Sequence, residues 1–164
     1  MQPLSKEQFD KLSSEKKKEH AHYWASLNYK LKEYELKYLS GKDREEYLDE
    51  KVNSGTWLED YEFRALGKER KKTYIIRKKF LADDEVNRMG PEMQKFYVNN
   101  LTSNKLSMSD EAFMGLSSDK IRNLYVIGKM KNSNPINLKG MEIKVLNKSQ
   151  QKEYVDYFLK LNTI

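Results

Sequence analysis

The stretch LKEYELKYLSGKDREEYL, residues 31–48, decides the fold. Five of its apolar residues lie at the positions that matter here, on both sides of Ser40: Leu31, Leu36, Leu39, Tyr47 and Leu48. The spacing of three between Leu36 and Leu39 fits one face of a short helix, and serine is a residue type that caps the start of a helix. The stretch therefore predicts two short helices separated by a capped turn.

The same arrangement recurs around six small residues. These reference residues are Ser13, Ser40, Gly67, Gly90, Ser117 and Asn147, spaced by 27, 27, 23, 27 and 30 residues. All the positions one, four or nine residues before them are apolar, and the positions eight residues after them hold Ala21, Leu48, Ile75, Val98, Tyr125 and Val155. Chance would make roughly nine of these twenty-four register positions apolar. The period therefore predicts an internal repeat.

A tyrosine strengthens the repeat at the position seven residues after the reference residue. It is Tyr47, Tyr74, Tyr97 or Tyr154 in four units, whereas the first unit has His20 there and the fifth has Leu124, followed by Tyr125. Helices this short do not stand alone, so we expect them to bury their apolar faces against neighbouring units. The sequence predicts one all-α domain, 1–164, of about six stacked two-helix repeats of roughly 27 residues, near 4–30, 31–57, 58–80, 81–105, 106–137 and 138–164.

Two stretches offer an alternative to the all-helical fold. Tyr74–Ile76 and Met141–Leu146 have strand-like propensity, and a short hairpin would use them.

Composition limits the classes of function. The chain has no Cys and only 2 His, so it has no thiolate nucleophile, no disulfide framework and few residues for a metal site. No apolar run approaches a membrane span, and the N-terminus has no secretory signal. We therefore expect a cytoplasmic, intracellular protein that does not enter membranes. The many Lys, Asn and Tyr residues, whose codons are AT-rich, favour a microbial or phage source.

The positive charge is concentrated in one segment. Between Arg64 and Lys79 there are eight basic residues and one acid, a local net charge of +7 in a chain whose total is +6. A helix over this segment places Lys68, Lys72 and Lys79 in one stripe and Arg70 and Arg77 in a second. With Tyr74 available to stack on a base, this segment is a candidate contact for nucleic acid or for an acidic partner protein. A simple solvated face is the third interpretation.

Two further motifs carry weaker chemical signals. His20 and His22 are two residues apart, so on a helix they point about 200° apart and do not form a shared metal site. Tyr23 and Trp24 beside them are expected to cover the end of the first unit. Glu142-Ile143-Lys144 resembles the Glu-x-Lys end of a metal-dependent nuclease site, with Asp110 or Asp119 as the required upstream acid. The same Glu recurs in other units, so repeat membership explains Glu142 better.

The absence of a catalytic motif favours a binding protein. We predict a non-enzymatic interaction or scaffold module that docks on a macromolecular assembly or protein partner through a basic surface at 64–79. The residues expected to contact the partner are Lys68, Arg70, Lys72, Tyr74, Arg77 and Lys79. A nucleic-acid-binding protein that uses the same residues is the alternative, and a metal-dependent nuclease is a weak third. No catalytic residue, cofactor or metal is predicted, and the sequence leaves the oligomeric state open.

Overall fold

A computed structural model describes residues 2–132 and 137–162, and in this part of the chain all regular secondary structure is helical. The twelve helices found there are Lys6–Asp10 (α1), Ser14–Ser26 (α2), Glu33–Leu36 (α3), Gly41–Asn53 (α4), Asp60–Ala65 (α5), Lys68–Lys78 (α6), Asp83–Arg88 (α7), Pro91–Ser103 (α8), Asp110–Met114 (α9), Asp119–Asn132 (α10), Gly140–Ile143 (α11) and Lys148–Asn162 (α12). The all-α prediction is confirmed for these residues. None of these helices has the length and the apolar character that a membrane span requires.

Short and long helices alternate, and the reference residues precede the long ones. Ser13 caps α2 by accepting a hydrogen bond from the backbone N–H of Lys16 at 3.2 Å. Asn147, at the start of α12, accepts one from the backbone N–H of Gln150 at 2.8 Å. Gly90 has φ +82°, a conformation that favours glycine, and Pro91 opens α8. Ser40 precedes α4 but makes no side-chain capping hydrogen bond, so the capped turn expected at Ser40 is not formed and side-chain capping by a reference residue is seen at α2 and α12.

The alternative of a hairpin is wrong. Tyr74–Ile76 lies inside α6, and Met141–Ile143 belongs to α11. The reason is that each stretch has its apolar residues at helical spacing with the rest of its unit, and β propensity is weaker than that context.

The chain forms two compact units, Met1–Arg70 and Lys71–Ile164, so that the boundary falls within α6. Large buried residues of the first unit include Phe9, Leu31 and Leu39. Those of the second include Tyr74, Ile75, Leu81, Tyr97, Leu101, Ile121 and Tyr125. The organisation as a single domain stays a prediction.

Most of the register positions are buried. Of the residues directly before the reference residues, Leu39, Leu66, Met89, Leu116 and Leu146 are buried and Leu12 is half-buried. Leu4, Phe63 and Ile143 are also half-buried, and Val155 is exposed. The apolar pattern thus identified most of the core, and its exceptions include positions near the two ends of the chain.

Four tyrosines on the long helices make the same hydrogen bond. Their hydroxyl oxygens accept a backbone N–H that lies sixteen or seventeen residues earlier, in the bonds Leu31–Tyr47 (2.9 Å), Leu81–Tyr97, Met108–Tyr125 and Leu138–Tyr154 (each 3.1 Å). Each bond ties the segment before a short helix to the long helix that follows it. Tyr125 makes this bond although it lies eight residues after its reference residue, whereas the other three tyrosines lie seven residues after theirs.

A glutamate recurs at the third residue of four short helices. Its Oε1 accepts the backbone N–H three residues earlier, in the bonds Lys32–Glu35 (2.9 Å), Glu59–Glu62 (3.0 Å), Ala82–Glu85 (3.2 Å) and Lys139–Glu142 (2.9 Å). This bond satisfies a donor at the helix start that has no partner within the helix. Gln8 does the same for Ser5 at 3.0 Å.

The other carboxylate oxygen of three of these glutamates faces a basic residue on the preceding long helix. The atom pairs are His20 Nε2 with Glu35 Oε2 (2.8 Å), Lys51 Nζ with Glu62 Oε2 (3.1 Å) and Lys129 Nζ with Glu142 Oε2 (2.9 Å). Leu101 has the register position of Lys51 and Ala112 that of Glu62, and both are buried. Glu85, the fourth glutamate, has its Oε2 3.5 Å from the hydroxyl of Tyr74 and does not belong to the three ion pairs above. We call these pairs the junction pairs.

Candidate functional site

The basic segment 64–79 is divided between the two compact units. Lys68 and Arg70 belong to the first unit, and Lys72, Tyr74, Arg77 and Lys79 belong to the second. Each group is described within its own unit.

In the first unit, the arginines of the segment are paired with acids. Arg70 donates from Nε to Asp49 Oδ1 at 2.7 Å and also pairs with Glu45. Hydrogen bonds to Asp49 and Glu45 raise the pKa of the Arg70 guanidinium. Arg64 Nε lies 2.9 Å from Asp60 Oδ2. Acids of α4 thus pair with Arg70, and its contact with a partner stays a prediction.

In the second unit, Tyr74 is not accessible. It is 1% exposed, its hydroxyl lies 3.5 Å from Glu85 Oε2, and Lys78 Nζ lies 5.9 Å from the centre of its ring. Tyr74 holds the same register position as Tyr47 and Tyr97, which are buried as well. The prediction that it stacks on a base is wrong, because the ring is packed inside the protein.

The predicted lysine stripe ends early. α6 stops at Lys78, and Lys79 has φ +63° while its N–H donates to Ile75 O at 2.9 Å. Lys79 therefore lies outside the helix and does not continue a stripe with Lys72. Lys72 is half-buried, with its Nζ 5.5 Å from the centre of the Phe96 ring.

An exposed cluster remains at the end of α6. Ile76 is 52% exposed and Phe80 is 44% exposed, and Arg77 and Lys79 between them are exposed as well. We call these four residues the α6 tip. Two large apolar side chains lie on either side of cations there, an arrangement typical of an interaction surface. The sequence analysis found the two cations but missed Ile76 and Phe80. The sequence did contain a signal for them: neither residue lies on a register position, and the register positions are the ones expected to be buried.

The two histidines serve separate contacts. His20 is buried against Glu35, and His22 Nδ1 lies 2.7 Å from Asp43 Oδ2. The two rings thus have different partners, as their spacing on a helix predicts. Within residues 2–132 and 137–162, no three His, Asp or Glu side chains converge as metal ligands do.

The aromatic residues next to the histidines were expected to cover the end of the first unit. Trp24 packs on Tyr29, within the predicted unit 4–30, with ring centres 4.9 Å apart, and it also contacts His20 and Tyr23. Tyr23 is 40% exposed. The role of these residues as an end cover stays a prediction.

Glu142 has a structural role. Its carboxylate accepts the backbone N–H of Lys139 at 2.9 Å and Lys129 Nζ at 2.9 Å, and the residue is buried. Asp110 and Asp119 are paired with Lys139 and Arg122. These contacts account for Glu142 as a helix-start residue of the repeat and supply no support for a nuclease site.

The first unit also contains an acidic groove that the sequence analysis did not identify. Its volume is about 610 Å³, and its lining includes Asp43, Glu46, Glu50, Tyr47 and Lys51. Asp43 already binds His22, and Lys51 lies near Glu62. The groove is thus partly neutralised by its own neighbours.

The chain matches no protein-family model, no curated protein and no solved structure. Its function is therefore argued from its own surfaces.

Proposed function

We propose that the chain is a non-enzymatic interaction module built from about six two-helix units. Three recurring contacts support the repeat. They are the tyrosine hydroxyl bonds, the glutamates at the third helical position and the junction pairs, in which the glutamate keeps its register position and the basic residue varies in place. In proteins of this kind each unit packs mainly against its neighbours, and the exposed residues remain free to vary for binding.

The observation that carries the proposed docking function is the mixed character of the α6 tip. Ile76 and Phe80 expose apolar surface, and Arg77 and Lys79 add two cations beside it. A partner protein with a small apolar site rimmed by acidic residues complements this surface. Burial of the apolar side chains away from solvent supplies affinity, and the cations speed association and select the partner.

The same observation separates this function from nucleic-acid binding. Two cations contribute a salt dependence no steeper than a log–log slope of about −2 for duplex DNA. Apolar Ile76 gains nothing from a phosphate backbone, and the burial of Tyr74 leaves Phe80 as the aromatic side chain of the tip on which a base could stack. An acidic protein partner is therefore the proposal, and nucleic acid is an outcome that the experiment separates from it.

The test is affinity capture from the native source with protein and nucleic-acid identification in parallel. Four immobilised proteins are compared: the wild type, Phe80→Ser, the charge reversal Arg77→Glu/Lys79→Glu, and the matched control Lys120→Glu/Lys144→Glu. The control reverses two exposed lysines outside the tip. We expect a protein that the wild type and the control retain and that both tip variants lose.

Two results contradict the proposal. One is equal retention of every captured protein by the tip variants and the wild type. The other is retention of nucleic acid alone, together with binding of a labelled duplex at physiological salt that depends on Arg77 and Lys79. Circular dichroism of each variant checks that the helices are intact.

A further inference from the structure

One face of α4 gives the acidic groove of the first unit its charge. Asp43, Glu46 and Glu50 line the groove and lie within about 60° of one another around the helix axis. The two acids of α4 that bind Arg70 lie on the other side of the helix. Arg70 therefore does not neutralise the face that lines the groove.

Two carboxylates of this face can receive a cation. Glu50 makes no ion pair with any described residue. Glu46 lies 3.7 Å from Lys42 Nζ, but both side chains are exposed, and such a pair contributes little. Lys51, which also lines the groove, has its Nζ 3.1 Å from the buried Glu62 Oε2. The groove thus attracts a cationic ligand.

Apolar side chains adjoin these carboxylates. Leu27 lies between the lining residues Ser26 and Asn28, and Trp57 follows the lining residue Thr56. Leu27 is 55% exposed and Trp57 is 58% exposed. The groove volume of about 610 Å³ falls within the range of about 300–1,000 Å³ that is typical of ligand sites. The first unit therefore offers an acidic cavity with apolar neighbours, which is the kind of site that complements the α6 tip.

We propose that the groove binds the α6 tip of a second copy of the chain. This inference rests on the proposed function, because it names the partner of the tip. Arg77 and Lys79 are two residues apart, a distance of at most about 7 Å, and Glu46 and Glu50 are one helical turn apart, about 6 Å along the axis. The two cations can therefore face the two carboxylates together. Phe80, the next residue, brings an aromatic ring to the cavity.

The contact joins two different surfaces of the chain, so it does not close as a two-fold dimer. Each copy that binds through its tip keeps its own groove open for a further copy, and contacts of this type produce rings or open chains. Two ion pairs and one inserted ring form a small contact. We therefore expect reversible association at concentrations of about 10 to about 500 μM, and we expect salt to weaken it.

Sedimentation velocity at about 50 mM salt tests the association. The tip reversal is Arg77→Glu/Lys79→Glu, and the groove reversal is Glu46→Lys/Glu50→Lys. We expect the wild type to form species larger than a dimer as its concentration rises, and each reversal alone to weaken the association at least about tenfold, because like charges then face each other.

Matched controls reverse the same number of charges elsewhere. Lys120→Glu/Lys144→Glu and Glu19→Lys/Glu153→Lys change exposed residues outside the tip and the groove, and both should associate as the wild type does. All the residues changed in the two reversals are exposed as well, and circular dichroism verifies that the variants fold.

Mixtures of the variants give the sharpest test. The tip reversal keeps an intact groove and the groove reversal keeps an intact tip, so an equimolar mixture should form a dimer and nothing larger. A chain that carries both reversals exchanges the charges of the two surfaces, and it should associate again. A mixture that stays monomeric, or a wild type that stays monomeric over the whole concentration range, overturns the proposal.

The same measurements separate failure of this inference from failure of the proposed function. Association that the tip reversal abolishes and the groove reversal leaves unchanged overturns this inference alone, because the tip then binds another site. Association that the tip reversal leaves unchanged overturns this inference and also counts against the tip as a docking surface. A monomeric wild type whose tip captures a different protein overturns the inference and leaves the proposed function standing.

Discussion

Removal of Lys129 should destabilise the protein strongly, because it breaks a buried junction pair. Lys129 Nζ lies 2.9 Å from Glu142 Oε2 and 3.1 Å from Oε1, and it also lies 5.5 Å from the centre of the Tyr125 ring. The two side chains are 13% and 5% exposed. In Lys129→Met the carboxylate of Glu142 stays buried without its cation.

The structure sets the magnitude of the loss. Deleting one partner of a buried ion pair costs about 3–5 kcal/mol of unfolding free energy. Glu142 keeps its bond from the backbone N–H of Lys139, so Lys129→Met should fall near the lower end, about 3 kcal/mol. Glu142→Gln should cost less, about 1–2 kcal/mol, because the amide oxygen still accepts that bond and the long lysine stem can reach water.

The double variant should cost much less than the sum of the two single changes. With both charges gone, no uncompensated charge stays buried, and we expect a coupling energy of about 2 kcal/mol. Urea unfolding of the wild type and the three variants measures it. Lys16→Met is the control, since its pair with Glu19 is exposed and should contribute less than about 0.5 kcal/mol. Additive single effects, or a loss below about 1 kcal/mol for Lys129→Met, would refute this account of the junction pairs.

Three further predictions concern stability. Tyr97→Phe should lower the unfolding free energy by about 1–2 kcal/mol in urea titrations, because it leaves the buried N–H of Leu81 without an acceptor; an unchanged midpoint would contradict the role of this bond. Burial raises the pKa of Tyr47 to about 12, so the stabilisation from its neutral hydroxyl is complete below pH 10. The unfolding free energy should therefore fall by about 2–3 kcal/mol as the pH rises from 10 to 12. Tyr47→Phe should flatten that decline, and an identical slope in the variant would contradict the role of Tyr47. Leu66→Ala should cost about 2–4 kcal/mol and Leu4→Ala clearly less, because Leu66 is buried and Leu4 is half-buried; the reverse order in thermal or urea unfolding would exclude the predicted core.

The sequence by itself determined the helices and most of the core. Leu39 and Val98 could be placed in the interior from their distance to a small residue, because helical spacing and capping act over three or four residues. Glu142 stands at the register position of Glu35, Glu62 and Glu85, and a carboxylate three residues inside a helix start binds the N–H before it. Interactions between residues this close in the sequence can be predicted without knowing which segments pack together in the fold.

Only the tertiary structure decided which side chains are available for binding. Arg70 and Arg77 both belong to the same run of basic residues, yet Arg70 is bound by two acids of α4 and Arg77 is exposed. Val98 and Val155 hold the same register position, and one is buried while the other is half exposed. Exposure depends on contacts with segments that lie twenty or more residues away in the sequence, and a local pattern does not specify those contacts.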